Sequence, residues 1–131
     1  MIKTQFTLYL ENRPGALFGV TCSLAEARIN IEGLSVVGGE DTSLAQLVTS
    51  DTQATQDILK ASNVAFSTAE VAVLSMPNQA GALTRGLARL AKAGVNIGYI
   101  YGTCSEQSET GPCTMVISAP DLVAVEDAWD V

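Results

Sequence analysis

A short segment that occurs twice constrains the fold of this chain more than any other feature. Residues 12–17 read NRPGAL, and residues 78–83, 66 positions further along, read NQAGAL. Each copy follows an apolar stretch with strand-like alternation and precedes apolar residues at helical spacing. A strand-to-helix turn used twice indicates a duplicated small fold. We call residues 12–17 the first corner and residues 78–83 the second corner.

The pattern around the first corner predicts the order strand, helix, strand, strand, helix, strand. Phe6, Leu8 and Leu10 share one face of the first strand, and Asn12 is a candidate cap for the first helix. Asp51 or Thr52 caps the second helix. The predicted strands are 3–10, 31–37, 42–49 and 64–66, and the predicted helices are about 15–27 and 52–61.

The pattern then restarts after residues 67–69, where we expect a break between the two copies. The second copy predicts strands 70–76, 96–103 and 113–118, with helices at about 81–93 and 122–129. It lacks a final strand. We therefore expect two units, residues 1–68 and 69–131.

The expected fold class is α+β, with two ferredoxin-like βαββαβ units in tandem. Each unit has an antiparallel sheet with helices on one face, and the second unit lacks its last strand. The strand at 31–37 is apolar on both faces, with Leu34 and Val36 on one and Ile31 and Val37 on the other. Either its alternation is imperfect, or the other half or a second chain covers the sheet. The pattern favours a homo-oligomer, most simply a twofold homodimer.

Charge and composition exclude several classes of function. Seven basic residues face fourteen acidic ones, and the basic residues form no stripe, so we expect no nucleic-acid partner. No apolar run has the length of a membrane span, and no signal peptide is visible, so we expect a cytoplasmic protein without a membrane partner. The sequence has no histidine and no coherent set of acid, base and nucleophile, so we expect no enzyme activity.

The three cysteines, Cys22, Cys104 and Cys113, are odd in number. Cys104 and Cys113 flank a polar loop and could face each other across a hairpin. Reduced, partly buried thiols are the expectation for a chain of this type. Without histidine or a Cys-x-x-C pair, we expect no metal and no cofactor.

The first copy contains LENRPGAL at residues 10–17, a predicted helix of about a dozen residues, and RINIE at residues 28–32. In this combination it resembles the ACT domain. Residues 76–97 resemble the same pattern. The resemblance covers nearly the whole chain as a tandem pair, and we expect no catalytic domain beside it.

The resemblance implies small allosteric regulatory units that bind an amino acid between two paired units. The implied contacts lie in the turn before the first helix and in the strand after it. In the first copy these are Asn12, Pro14, Gly15, Ala16, Leu17, Asn30 and Ile31. In the second copy they are Asn78, Gly81, Ala82, Leu83, Asn96 and Ile97. The charge of Arg13 suits a ligand carboxylate, although a solvated loop charge is the simpler interpretation.

The residue types suit an amino-acid ligand. Unpaired N–H groups at a helix N-terminus attract a carboxylate, and glycine permits close approach. The alternative is that Asn12 and Gly15 only shape the turn. The second corner departs from the pattern, with Ala80 in place of Pro14. If one corner alone binds ligand, the sequence favours the first.

The sequence therefore leaves three functional hypotheses open. The favoured one is a non-catalytic regulatory protein that binds an amino acid and biases a homodimer or a biosynthetic partner enzyme. The second is a structural or interaction module without a ligand. An enzyme of unknown reaction is the least supported.

Overall fold

The computed structural model describes residues 1–104 and 112–130, which form six strands and four helices. The strands are β1 (Ile2–Glu11), β2 (Ile31–Gly38), β3 (Thr42–Thr49), β4 (Ala65–Pro77), β5 (Tyr99–Thr103) and β6 (Pro112–Ser118). The helices are α1 (Ala16–Glu26), α2 (Thr52–Ala61), α3 (Ala82–Lys92) and α4 (Leu122–Ala128). The predicted α+β class with tandem ferredoxin-like units is confirmed. No helix in the described part of the chain is long and apolar enough to cross a membrane.

The chain divides into two compact units inside β4. Residues 4–69 form one unit, here called the first half, and residues 1–3 with 70–131 form the other, the second half. The predicted strand break at residues 67–69 is wrong, because β4 runs from Ala65 to Pro77 without interruption. Ser67, Thr68 and Ala69 carry neither the glycine nor the proline that ends a strand, and β-branched threonine favours one.

The first half has strand order β2-β3-β1-β4. β3 pairs antiparallel with both β1 and β2, and Phe6, Leu8 and Leu10 are buried on the helix side, as predicted. Val20 and Leu24 of α1 and Leu59 of α2 complete this core. Burial of these apolar side chains on one face holds the helices on the sheet.

The second half has strand order β4-β6-β5, again antiparallel. Its core joins Ala72 and Ile117 of the sheet with Leu90 of α3 and with Val125 and Trp129 at the C-terminal helix. β5 begins at Tyr99, three residues later than predicted.

The helices start in two different ways. Asp51 and Asp121 cap α2 and α4, since the Oδ1 atom of each accepts a hydrogen bond from the backbone N–H three residues ahead at 3.0 Å. The predicted cap at Asp51 is confirmed. The predicted cap at Asn12 is wrong: α1 begins after Gly15 without a side-chain cap. The Asn12 side chain donates instead to the Gly39 carbonyl, in the turn between β2 and β3.

Cys104 and Cys113 form a disulfide, so the expectation of reduced thiols is wrong. The register explains the pairing. Thr103 lies opposite Thr114 in the β5–β6 ladder, which puts the next two residues, Cys104 and Cys113, face to face with Cα atoms 4.2 Å apart. Cys22 is free and half-buried.

Candidate functional site

The first half contains a cavity of about 400 Å³ between α1 and α2, here called the α1–α2 cleft. The start of α1, the end of α2, the end of β1 and the start of β4 enclose it. Its lining residues are Tyr9, Leu10, Glu11, Arg13, Gly15, Ala16, Gly19, Val20, Ser23, Ile58, Leu59, Ser62, Asn63, Val64 and Ala65.

The N-terminus of α1 borders this cleft through Gly15 and Ala16. Gly15 adopts φ 86°, a left-handed conformation that glycine accepts without steric cost. The Gly19 N–H donates to the Gly15 carbonyl at 3.0 Å, but no described residue accepts from the N–H groups of Leu17 and Phe18. Leu17 and Phe18 lie outside the lining of the cleft, so it is the positive end of the helix dipole, next to Gly15 and Ala16, that favours an anion there.

Two side chains of opposite charge lie together at the mouth of the α1–α2 cleft, here called the rim. The Arg13 Nε atom donates to the Glu11 Oε2 atom at 2.8 Å, and both side chains are well exposed. An exposed ion pair of this kind contributes little to stability. The rim therefore offers a cation and an anion that a zwitterionic ligand can engage at little cost to the fold.

The inner wall is apolar. Val20 and Leu59 are buried, and Leu10, Ile58 and Val64 extend the wall around them. The serines and asparagine of the lining add short polar groups near the helix ends. A small ligand therefore meets charge at the rim and apolar side chains within, which is typical of small-molecule sites.

Sequence reasoning missed several residues of this cleft, namely Gly19, Ser23, Ser62 and Asn63. Gly19 offered a signal, because glycine inside a helix costs about 1 kcal/mol relative to alanine. A Cβ atom built there meets no atom within 4 Å, so helix packing does not require the glycine. Asn63 ends α2 in the left-handed region at φ 54°, which the sequence alone does not specify.

The structure separates the residues predicted for the first corner. Arg13, Gly15 and Ala16 line the α1–α2 cleft. Asn30 and Ile31 line a different, more open depression of about 420 Å³ on another face of α1, beside Phe18 and Cys22. The other three predicted residues border neither depression: Asn12 serves the β2–β3 turn, Pro14 is exposed, and Leu17 packs on the core.

The second corner repeats the backbone of the first with different surroundings. Gly81 precedes α3 at φ 87°, and the Arg85 N–H donates to its carbonyl at 2.9 Å. Ala82 is buried, Leu83 is exposed and Asn78 is half-buried. Farther along, Asn96 lines a depression of about 190 Å³ with Asp121, and Ile97 packs on the core of the second half.

Two α+β halves with matched helix starts define a tandem pair of small domains. The family model of the ACT domain pair matches residues 1–108. The chain belongs to this family, and the resemblance found in the sequence is confirmed.

Several solved structures share this fold. A protein from Bacteroides thetaiotaomicron is 28% identical with a TM-score of 0.88, over 98% of this chain and 86% of that one. The ligand-free regulatory subunit of aspartate kinase from Thermus thermophilus is 19% identical with a TM-score of 0.66, over 97% and 93%. The corresponding subunit from Thermus flavus is 20% identical with a TM-score of 0.62, over 99% and 96%. The sequence matches none of the curated proteins.

Proposed function

We propose that this ACT domain pair is a non-catalytic regulatory protein that binds a small amino acid at the first corner, in the α1–α2 cleft. The observation that carries the proposal is the combination of Arg13 and the N-terminus of α1, at Gly15 and Ala16, with Glu11 on the same rim. The first two would bind the ligand carboxylate, and Glu11 would bind the ammonium group.

The inner wall favours one class of side chain. Val20, Leu59 and their neighbours offer apolar contacts and no charge. A cavity of about 400 Å³ lies near the lower end of the range of small-molecule sites. Both features favour an amino acid with a small, uncharged side chain over a charged or large aromatic one.

We propose a homodimer formed through an apolar row on the sheet of the first half. Tyr9 lies opposite Leu44, and Leu44 lies opposite Val37 on the next strand. All three side chains are exposed, Val37 at 65%. A contiguous apolar row across three strands favours burial against another chain. Asn30 and Ile31 line the separate depression beside Phe18 and Cys22, so a ligand contact at these two residues needs a second site and stays a prediction.

We propose that ligand binding acts on a biosynthetic partner enzyme in the cytoplasm. Fold neighbours are regulatory subunits of aspartate kinase, as their names state. A ligand that binds one state of the protein more tightly shifts the population towards that state and changes affinity for the partner. The net charge of −7 is consistent with a partner that is not a nucleic acid.

Thermal unfolding with each of the twenty amino acids at millimolar concentration tests ligand binding. At about 100 times its Kd a ligand adds about 2.7 kcal/mol to the free energy of unfolding, a shift that calorimetry resolves. Gly19→Leu should abolish the shift by filling the cleft, whereas Gly19→Ala, which adds one methyl group to open space, should keep it. Absence of any shift in the unmodified protein would reject the ligand.

The alternative is an interaction module without a ligand, and the apolar row is the observation that favours it. Native mass spectrometry of Val37→Lys and Leu44→Lys tests the row, with Val123→Lys as control because Val123 is an exposed apolar residue of α4 outside the row. Loss of the dimer only in the first two variants, together with no response to amino acids, would favour this alternative. A dimer that survives both substitutions would reject the role of the row.

A further inference from the structure

The two halves carry a reciprocal exchange of side-chain size at one pair of positions. Val20 of α1 corresponds to Gly86 of α3, at the same 66-residue offset as the two corners. Counted from the capping residues Asp51 and Asp121, Leu59 of α2 corresponds to Trp129. Val20 and Leu59 line the α1–α2 cleft. The second half therefore has glycine where the first half has valine, and tryptophan where the first half has leucine.

The indole ring of Trp129 lies directly over Gly86. A Cβ atom built at Gly86 would lie 2.5 Å from two ring carbons of Trp129, so no larger residue fits while the ring is in place. Trp129 is only 9% exposed and belongs to the core of the second half. The ring thus occupies the place that the Val20 side chain takes in the first half, and its Nε1 end reaches Ser75 of β4.

A hydrogen bond fixes the ring at this position. The Trp129 Nε1–H donates to the Ser75 carbonyl at 2.9 Å. Ser75 corresponds by the 66-residue offset to Tyr9, another lining residue of the α1–α2 cleft. Met1 and Val73 exchange hydrogen bonds along this edge of β4, and alternate residues of a strand point the same way, so the Ser75 carbonyl faces that edge. The indole therefore contacts the counterparts of two lining residues, Val20 and Tyr9.

In the second half, the outer part of this region is smaller than the α1–α2 cleft, and different charged residues line it. A depression of about 210 Å³ is lined by Arg89, Lys92, Ala93, Asp127 and Ala128. Arg89 and Ala128 correspond to Ser23 and Ile58 of the α1–α2 cleft. Among the described residues an opening remains at the outer end of the counterpart, and its lining includes the charged residues Arg89, Lys92 and Asp127.

We infer that Trp129 closes the second half's counterpart of the α1–α2 cleft, so that each chain binds one amino acid and binds it in the first half. This inference rests on the proposed function for its ligand, and it adds the number of sites and the residue that sets that number. The closure itself depends only on Gly86, Trp129 and Ser75.

Exchanging the two pairs of residues tests the stoichiometry. Val20→Gly with Leu59→Trp gives the first half the pair found in the second, and should reduce binding from one amino acid per chain to none. Gly86→Val with Trp129→Leu gives the second half the pair found in the first, and should raise binding towards two. The probe is the amino acid that gives the largest thermal shift with the unmodified protein, counted by isothermal titration calorimetry and native mass spectrometry. Two sites in the unmodified protein, or retained binding in Val20→Gly/Leu59→Trp, would overturn the inference.

Free indole tests the closure without any amino acid. Trp129→Ala should bind indole and regain part of its lost thermal stability, whereas Leu59→Ala, which lacks an indole-shaped space, should gain much less. If no amino acid binds the unmodified protein, the proposed function fails, and the indole response still decides whether Trp129 fills a cavity. A Trp129→Ala protein that folds but gains no thermal stability from indole would overturn the closure. Should Trp129→Ala fail to fold, Trp129→Leu with benzene as the probe replaces it, with the same criterion.

Discussion

The first half carries Val20 and Leu59 where the second half carries Gly86 and Trp129, although both halves enter their first helix through a glycine at nearly the same angle, φ 86° and φ 87°. The backbone turn was kept while the side chains beyond it diverged. A repeated turn therefore identifies a repeated fold, but it does not identify a repeated site. Whether a cleft is open depends on residues far from the turn in sequence.

Two further pairs of corresponding positions also carry different side chains in the two halves. The first half ends its β2–β3 ladder with Gly38 opposite Ser43, whereas the second half has the disulfide Cys104–Cys113 beside the Thr103–Thr114 pair. The residue that ends the first helix in the left-handed region also differs, being Arg28 in the first half and Gly94 in the second. Each difference gives a measurable contrast between the halves.

The largest contrast should come from truncating the two corresponding core residues. Trp129→Ala should lower the free energy of unfolding by about 3–5 kcal/mol, because it empties a buried ring site and leaves the Ser75 carbonyl without its indole donor. Leu59→Ala removes fewer buried atoms and should cost about 2–3 kcal/mol. Urea unfolding followed by circular dichroism measures both. A cost for Trp129→Ala no larger than that for Leu59→Ala would contradict the packing described for the second half.

Reduction of the disulfide should have the next largest effect. The Cys104–Cys113 bond closes a loop with a sequence separation of 9. The chain-entropy model gives a loss of about 2–3 kcal/mol on opening a loop of this length. Thermal unfolding with and without dithiothreitol measures the loss. Cys104→Ala is the control, since the reductant should no longer change its melting temperature; an unchanged melting temperature in the unmodified protein would argue against the bond.

Exchanging the left-handed residues at the helix ends should have a smaller effect of opposite sign in the two halves. Arg28→Gly should stabilise the protein by about 0.5–1 kcal/mol, since Arg28 has φ 58° and glycine relieves the strain at some cost in unfolded-state entropy. Gly94→Arg should destabilise it by about 1 kcal/mol, since Gly94 has φ 74°. Urea unfolding of the two variants in parallel provides the measurement. Changes of the same sign would show that the two helix ends are not equivalent.

The smallest contrast concerns alkaline pH. Burial, with a further contribution from Tyr99, raises the pKa of the Tyr101 hydroxyl above its ordinary value of 10.0. The folded state then keeps this proton to a higher pH than the unfolded state does. Stability from this group is therefore complete below about pH 10 and declines as the pH rises above it. Urea unfolding between pH 9 and pH 11 should show a shallower decline for Tyr101→Phe than for Tyr9→Phe, the matched variant in the first half; identical slopes would speak against the effect.

Much of the fold could be predicted from the sequence, because periodicity and capping residues act locally. Phe6, Leu8 and Leu10 alternate clearly, and their burial is confirmed. Asp51 precedes its helix with the spacing that a side-chain cap requires, and it caps α2. The break expected at residues 67–69 is absent, and β4 continues through them. Those residues are only weakly unfavourable in a strand, so pairing with neighbouring strands decides whether the strand continues.

The candidate site was only partly accessible from the sequence. Arg13, Gly15 and Ala16 follow from the corner motif, and they line the α1–α2 cleft. Ile58, Ser62 and Asn63 come from α2 and its end, about 45 residues later, and no local pattern connects them to the corner. Asn12 has the chemistry of a helix cap, but the β2–β3 turn is close enough to take its side chain. Ligand contacts at the predicted positions stay a prediction.

Trp129 is the only tryptophan in the sequence. Its emission therefore reports on the second half alone, from a buried site in which the indole N–H already has a partner. Tyrosine emission has a source in the first half at Tyr9, beyond the two tyrosines of β5. Selective excitation at the red edge of the absorption band would thus follow the loosening of one half of the chain spectroscopically, with no added label.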